Sequence, residues 1–158
     1  MSLIQTTIHC TKAIRDLWPD PLARQWLQQY PDIFDRDDLR LAMNQARYHF
    51  CEWFAAIHLF HREGAHSLVE QYVYQNHPAK VARMATLLSE RERKTLDAIR
   101  VAHAVQLPDL FVFVPKTSRY WFAEVKGPRD HLSTKQSRSH DAITRELKVP
   151  VEIIQVRI

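Results

Sequence analysis

Residues 107–126 read LPDLFVFVPKTSRYWFAEVK, and this stretch decides the fold. Its two arms are rich in Val, Phe, Tyr and Trp, which favour β-strands, and the PKTS that joins them is typical of a turn. The stretch therefore predicts a β-hairpin. Pairing Val114 with Arg119 across the turn sets the register of the two arms. In that register Asp109 lies directly opposite Glu124.

Lys126 lies two residues past Glu124, so it projects from the same face of its strand. Two carboxylates that face each other across strands repel, because their Cβ atoms are only about 5 Å apart. The pair is tolerated if one acid is protonated, if water fills the patch, or if a cation lies between them. Such oxygen ligands bind Mg²⁺ or Mn²⁺, and a nearby ammonium orients water or stabilises charge on phosphate. The alternative is a salt-bridged hairpin in which Lys126 neutralises one acid.

The composition is that of an ordinary globular domain. A chain of 158 residues with 46% hydrophobic and 25% charged residues is long enough to bury a core. No apolar run of about 18 residues and no basic-then-apolar start are present, so we expect no membrane partner and a cytoplasmic location. Two glycines exclude a P-loop or a dinucleotide-binding loop, each of which needs several close together. Two distant cysteines argue against a disulfide framework or a zinc ribbon.

The formal net charge of +4 is consistent with a polyanionic partner such as DNA. Among the basic residues, Lys80, Lys135 and Arg138 are our candidate contacts to phosphate, with His140 beside the last two. The alternative for such residues is a solvated polar face. If they do meet phosphates, binding should weaken as salt is added.

The chain before the hairpin predicts mainly helices. Residues 1–40 form a helical N-terminal extension broken by prolines, with a helix over 22–30, and 41–158 form the main domain. From 39 to about 63, apolar residues recur at three- and four-residue steps and predict one long helix, which Gly64 ends.

Acidic residues near the end of this region are candidate ligands. Glu52 lies beside the hydrophobic face of the long helix, where a carboxylate must find a partner or a metal unless it reaches solvent. Glu63 is the second candidate for the same role. The segment 65–74 predicts the first strand of the sheet, and Glu70 within it is a candidate further ligand.

The rest of the chain alternates helices and strands. Two helices over about 78–104 form an insert before the hairpin, the second opened by a capping box at 89–92. A second capping box opens a helix over 133–147, and 149–158 close the chain as a strand. Gln136 either only caps this helix or points back at the acids. The order predicts an α/β fold with a mixed sheet.

The sequence motifs around the hairpin acids resemble those of a known family. Pro-Asp at 108–109, EVKGPRDHLS at 124–133 and Gln136 are similar to the virus-type replication-repair nuclease (VRR-NUC) domain. This is a branch of the PD-(D/E)xK phosphodiesterases and is related to the domain of the Fanconi-associated nuclease. The resemblance implies a restriction-endonuclease-like αβββαβ core.

The resemblance also implies roles for single residues. Asp109 and Glu124 hold Mg²⁺ or Mn²⁺, the carbonyl of Val125 completes the shell, and Lys126 aligns a water. In the superfamily, the helix before the first core strand commonly carries a further metal-site glutamate, for which Glu52 is best placed; Gln136 is expected to bind water or phosphate. For stand-alone members of the family the resemblance implies homodimers that act on branched DNA, whereas domains embedded in larger proteins cut flaps.

Three functional hypotheses follow. The first is a metal-dependent endonuclease acting on branched or flapped DNA in repair or recombination. The second is a catalytically silent nucleic-acid-binding or adaptor module on the same fold. The third is a ribonuclease or toxin-like nuclease, which a change of substrate would distinguish.

Overall fold

The computed structural model describes residues 4–69, 72–73 and 77–158. The predicted ligand Glu70 lies outside these residues, as does part of the predicted first strand. In chain order the elements are β1 (Ile4–His9), α1 (Lys12–Arg15), α2 (Leu22–Gln29), α3 (Arg36–Asn44), α4 (Phe50–Glu63), β2 (His66–Val69), α5 (Pro78–Leu87), α6 (Glu90–His103), β3 (Leu110–Phe113), β4 (Tyr120–Lys126), α7 (Thr134–Leu147) and β5 (Val151–Arg157).

The strands form one mixed sheet in the order β1-β5-β4-β3-β2. The predicted hairpin is confirmed: β3 and β4 are antiparallel, and Leu110 pairs with Ala123. The Val114 N–H donates to the Arg119 carbonyl across the turn at 3.1 Å, as the predicted register requires. β5 runs parallel to both β4 and β1, whereas β2 is antiparallel to β3. The α/β class with a mixed sheet is therefore confirmed.

A separate hydrophobic core packs against each face of the sheet. On one face, Trp121, Ala123 and Val125 of β4 pack with α4 and the N-terminal helices. On the other face, Phe122 packs with residues of α6 and α7. Because side chains alternate along a strand, Glu124 lies on the same face as Phe122, toward α7.

The prediction that residues 1–40 are helical is wrong at Ile4–His9. This segment is a strand, β1, which pairs in parallel with the last strand; Ile8, for example, pairs with Val156. Its sequence, IQTTIH, is rich in β-branched residues, which suit a pleated sheet. Ile8 also shares a core with Trp18 and Trp53, so residues on both sides of position 40 are buried together.

The single long helix predicted over 39–63 is also wrong, because the chain breaks between α3 and α4. His49 has φ 75°, in the left-handed region, and cannot continue a helix. The intervening turn is anchored from outside the segment, since the Trp18 Nε1–H donates to the Tyr48 carbonyl at 3.0 Å. Gly64, also left-handed at φ 70°, ends α4 as predicted.

The other helices agree with the sequence patterns. Capping boxes open α6 at Ser89 and α7 at Ser133, as predicted. The helices α5 and α6 form the insert between β2 and the hairpin. None of the described helices is long and apolar enough to cross a membrane.

Candidate active site

The two acids of the hairpin lie at one end of the sheet. Because β3 and β4 are antiparallel, the start of β3 and the end of β4 lie at the same end of the sheet. Asp109 immediately precedes β3, and the register places it opposite Glu124, near the end of β4. The Val125 N–H donates to Asp109 Oδ2 at 2.8 Å, so the Asp109 carboxylate reaches the backbone beside Glu124. The predicted juxtaposition of the two acids is thus present.

Glu124 and Lys126 are buried and are joined by a glutamine from α7. Their exposed fractions are 4% and 9%. Gln136 Nε2 donates to Glu124 Oε1 at 2.7 Å, and Lys126 Nζ donates to Gln136 Oε1 at 3.1 Å. Lys126 Nζ also lies 3.2 Å from Glu124 Oε1, an ion pair. The three side chains therefore form a closed triangle.

Gln136 combines the two roles that the sequence left open. Its Oε1 accepts a hydrogen bond from the Ser133 N–H at 3.0 Å, and its own N–H donates to Ser133 Oγ at 3.1 Å. The same amide bonds both Glu124 and Lys126. The capping box therefore fixes the start of α7 and also aims the Gln136 amide at the acids.

His140 is a site residue whose place the sequence did not reveal. We expected it to contact phosphate from the start of α7, and it is only 6% exposed. It lies one helical turn after Gln136 and so faces the sheet as well. Its Nε2 is 3.7 Å from Glu124 Oε2, and its buried Nδ1 has no hydrogen-bond partner among the described residues. The helix turns this side chain inward, toward Glu124, and its contact with phosphate stays a prediction.

The two oxygens of Glu124 differ in their surroundings. Oε1 accepts from Gln136 and contacts Lys126. Oε2 accepts no hydrogen bond from the described part of the chain, and its contact is His140 Nε2 at 3.7 Å. Oε2 is therefore the Glu124 oxygen that is left for a cation or a water at this end of the sheet.

The two candidate glutamates of α4 lie at opposite ends of the sheet. Glu63, at the end of α4, forms a 2.6 Å ion pair with Arg119, which precedes β4. Glu52 is in the first turn of α4 and is half-buried. Its neighbour Cys51 reaches the end of β4, since a Cβ on Gly127 would lie 3.6 Å from the Cys51 sulfur. The prediction of Glu63 as a site residue is thus wrong, and Glu52 lies toward the end of the sheet that carries Asp109 and Glu124.

No three His, Cys, Asp or Glu side chains within residues 4–69, 72–73 and 77–158 gather closely enough to hold a metal ion. Glu52 as a third side-chain ligand, and the Val125 carbonyl as a further donor, stay predictions. The register and the Val125 N–H contact place Asp109 and Glu124 at the same end of the hairpin. Mg²⁺ is commonly held by one or two carboxylates, with water or substrate phosphate filling its remaining positions. The donor set is therefore chemically suited to such an ion.

The predicted phosphate contacts divide into exposed and buried residues. Lys135 and Arg138 are exposed near the start of α7, on either side of Gln136. Lys80 is only 6% exposed, pairs with Asp38 at 2.5 Å and donates to the Val69 carbonyl. The prediction that Lys80 contacts phosphate is wrong, because its ammonium neutralises a buried acid.

The C-terminal two thirds of the chain match a known protein family. The model of the VRR-NUC domain matches residues 56–158. This span contains Asp109, Glu124, Lys126 and Gln136, whereas Glu52 precedes it. No curated protein matches the chain. The chain belongs to the VRR-NUC domain family, a family of nuclease type.

Proposed function

We propose that this chain is a divalent-metal-dependent endonuclease that hydrolyses DNA phosphodiester bonds, selectively in branched or flapped DNA during repair or recombination. The observation that carries the proposal is the placement of Asp109 opposite Glu124, with the Lys126 ammonium 3.2 Å from Glu124 Oε1. Membership of a nuclease-type family supports the same chemistry.

The cofactor is Mg²⁺ or Mn²⁺, held by the carboxylates of Asp109 and Glu124 and by the carbonyl of Val125. When bound, such an ion polarises a phosphoryl oxygen, lowers the pKa of water and stabilises the leaving oxygen. Glu124 Oε2, which accepts no hydrogen bond from the described residues, is the oxygen that we assign to this role. Glu52 is a further ligand only if its side chain moves toward the two acids.

Lys126 and Gln136 supply positioning and charge. Within the described part of the chain, Lys126 Nζ contacts only Gln136 Oε1 and Glu124 Oε1, so one of its three N–H groups is left for water or phosphate. Its burial strengthens the attraction between the ammonium and developing negative charge on phosphate. Gln136 bonds both neighbours and so limits the rotamers that Lys126 and Glu124 can adopt.

Cleavage assays test the proposal directly. Purified protein is incubated with supercoiled plasmid, a four-way junction, a flap and a linear duplex of matched length, in Mn²⁺, Mg²⁺ or EDTA. We expect cutting with either metal, faster cutting of the branched substrates, and none in EDTA. Absence of cutting by the native protein under all metal conditions would overturn the proposal.

The second candidate is a catalytically silent binding module on the same fold. It is favoured by the Lys126–Glu124 ion pair, which neutralises one acid without a metal. The two candidates differ in metal binding, because a ligand that binds only the folded state raises the melting temperature. A nuclease with a metal site should melt higher in millimolar Mn²⁺ than in EDTA, whereas a silent module should not.

The role of Gln136 leads to a separate prediction. We expect Gln136→Met to lower the cleavage rate about 10–100-fold, since a residue that orients metal ligands typically contributes that much. Loss of its cap also costs about 1 kcal/mol of stability. Ser133→Ala is the matched control, because it removes the cap oxygen but leaves the amide on Glu124 and Lys126. Equal rate losses in both variants would show that Gln136 acts only as a cap.

A further inference from the structure

Tyr48 is exposed in a way that no other described aromatic residue is. Its exposed fraction is 66%, whereas the remaining described Trp, Tyr and Phe residues are buried or half-buried. Its backbone is nevertheless fixed: its N–H donates to the Gln45 carbonyl at 2.9 Å, and its carbonyl accepts from Trp18 Nε1 at 3.0 Å. The ring is therefore presented to solvent from a rigid base, which keeps the entropy cost of stacking low.

The position of Tyr48 relates it to the candidate active site. It precedes α4 by two residues, and Cys51 in the first turn of α4 lies against Gly127, which directly follows Lys126. Three peptide units span at most about 11 Å between Cα atoms. Tyr48 thus lies near the end of the sheet that carries Asp109 and Glu124, on the face covered by α4.

Two arginines lie close to Tyr48, one along the chain and one against a residue of α4. Arg15 lies over the Phe50 ring at 5.0 Å, and Arg47 precedes Tyr48 in the exposed turn. Neither arginine forms an ion pair within the part of the chain that the structure describes. At the start of α7, Lys135 and Arg138 are also exposed. Glu52 and Asp130 are acids near Cys51, and Asp130 Oδ2 accepts a hydrogen bond from the Gly127 N–H.

We propose that Tyr48 is a stacking platform for an unpaired base, with Arg15 and Arg47 holding the adjoining phosphates. An exposed aromatic ring among cations is the arrangement by which proteins bind single-stranded nucleic acid without reading its sequence. Bases within a duplex are already stacked on one another and cannot reach the ring. This inference rests on the proposed function and names its substrate class: DNA with unpaired nucleotides beside the bond to be cut. Tyr48 also precedes the family-matched residues 56–158, so the platform belongs to this chain's own N-terminal part.

Binding measured in EDTA tests the platform apart from catalysis. Native protein, Tyr48→Ala and Tyr48→Phe are titrated against a flap with an unpaired arm and against a duplex of equal length and charge. Stacking of one base is worth about 1–3 kcal/mol, so Tyr48→Ala should weaken flap binding about 5–150-fold and leave duplex binding nearly unchanged. Tyr48→Phe keeps the ring and should bind as the native protein does, while Arg47→Ala should weaken both DNAs.

A second measurement needs no variant. A 5-iodouracil placed at each unpaired position of the flap should photocrosslink to Tyr48 in the native protein. Equal weakening of flap and duplex by Tyr48→Ala, no weakening at all, or crosslinks only to other residues would overturn the platform. Native cleavage is recorded on the same preparation. Cutting without the flap-selective loss rejects the platform alone, and the selective loss without cutting rejects the nuclease alone.

Discussion

Replacing Glu124 by glutamine should reduce DNA cleavage by a factor on the order of 10³ or more, equivalent to about 4 kcal/mol of transition-state stabilisation. Glutamine matches the shape of glutamate but removes the charge that a divalent cation requires. Asp109→Asn should have an effect of the same size, because it likewise removes a carboxylate charge. Asparagine can still accept a hydrogen bond from the Val125 N–H, so that contact is retained. The measurement is the single-turnover rate on a flap in Mn²⁺.

The control for this prediction is Glu63→Gln. Glu63 is also a partly buried, ion-paired glutamate, but it lies with Arg119 at the opposite end of the sheet. We expect this variant to cut at nearly the native rate. Full activity in Glu124→Gln, or an equal loss in Glu63→Gln, would contradict the assignment of the site.

Replacing Lys80 by methionine should destabilise the protein by about 3–5 kcal/mol, since it leaves the buried Asp38 carboxylate without its cation. Burial already raises the pKa of Asp38 to about 6, and the charge of Lys80 opposes that rise. The methionine variant therefore holds a proton on Asp38 up to a higher pH than the native protein. An acid whose pKa is higher in the folded state loses stability as pH increases through that window. The loss, measured by urea unfolding, should be smaller at pH 5 than at pH 8.

A double variant separates the pair from its surroundings. Asp38→Asn together with Lys80→Met removes both charges but keeps a side-chain oxygen for the Asp35 N–H, which Asp38 Oδ2 now accepts. It should recover most of the stability that Lys80→Met loses. Under conditions in which all variants are folded, Lys80→Met should bind DNA as tightly as the native protein, whereas Arg138→Ala should bind more weakly. Weakened DNA binding by folded Lys80→Met would contradict the interior role of Lys80.

Most of the candidate site could be predicted from the sequence because it depends on local geometry. A four-residue turn sets the register of the hairpin, and the register alone places Asp109 opposite Glu124. The capping box likewise sets where α7 begins and hence where Gln136 points. These features need only neighbours within about 20 residues along the chain.

The predictions that were wrong depend on partners far along the chain. β1 pairs with β5 at the other end of the sequence, which no local pattern indicates. The break between α3 and α4 is held by Trp18 Nε1, 30 residues before Tyr48. Lys80 resembles any helical surface lysine until Asp38, 42 residues earlier, is placed beside it. His140 and Glu124 similarly meet only after α7 packs on the sheet.

Manganese binding tests the central claim most directly. Crystals soaked in Mn²⁺, with diffraction recorded at the manganese absorption edge, would locate the ion by its anomalous signal. We expect a peak between the carboxylates of Asp109 and Glu124, within bonding distance of the Val125 carbonyl, and its loss in Glu124→Gln. A saturated crystal with no manganese between these two acids would contradict the account.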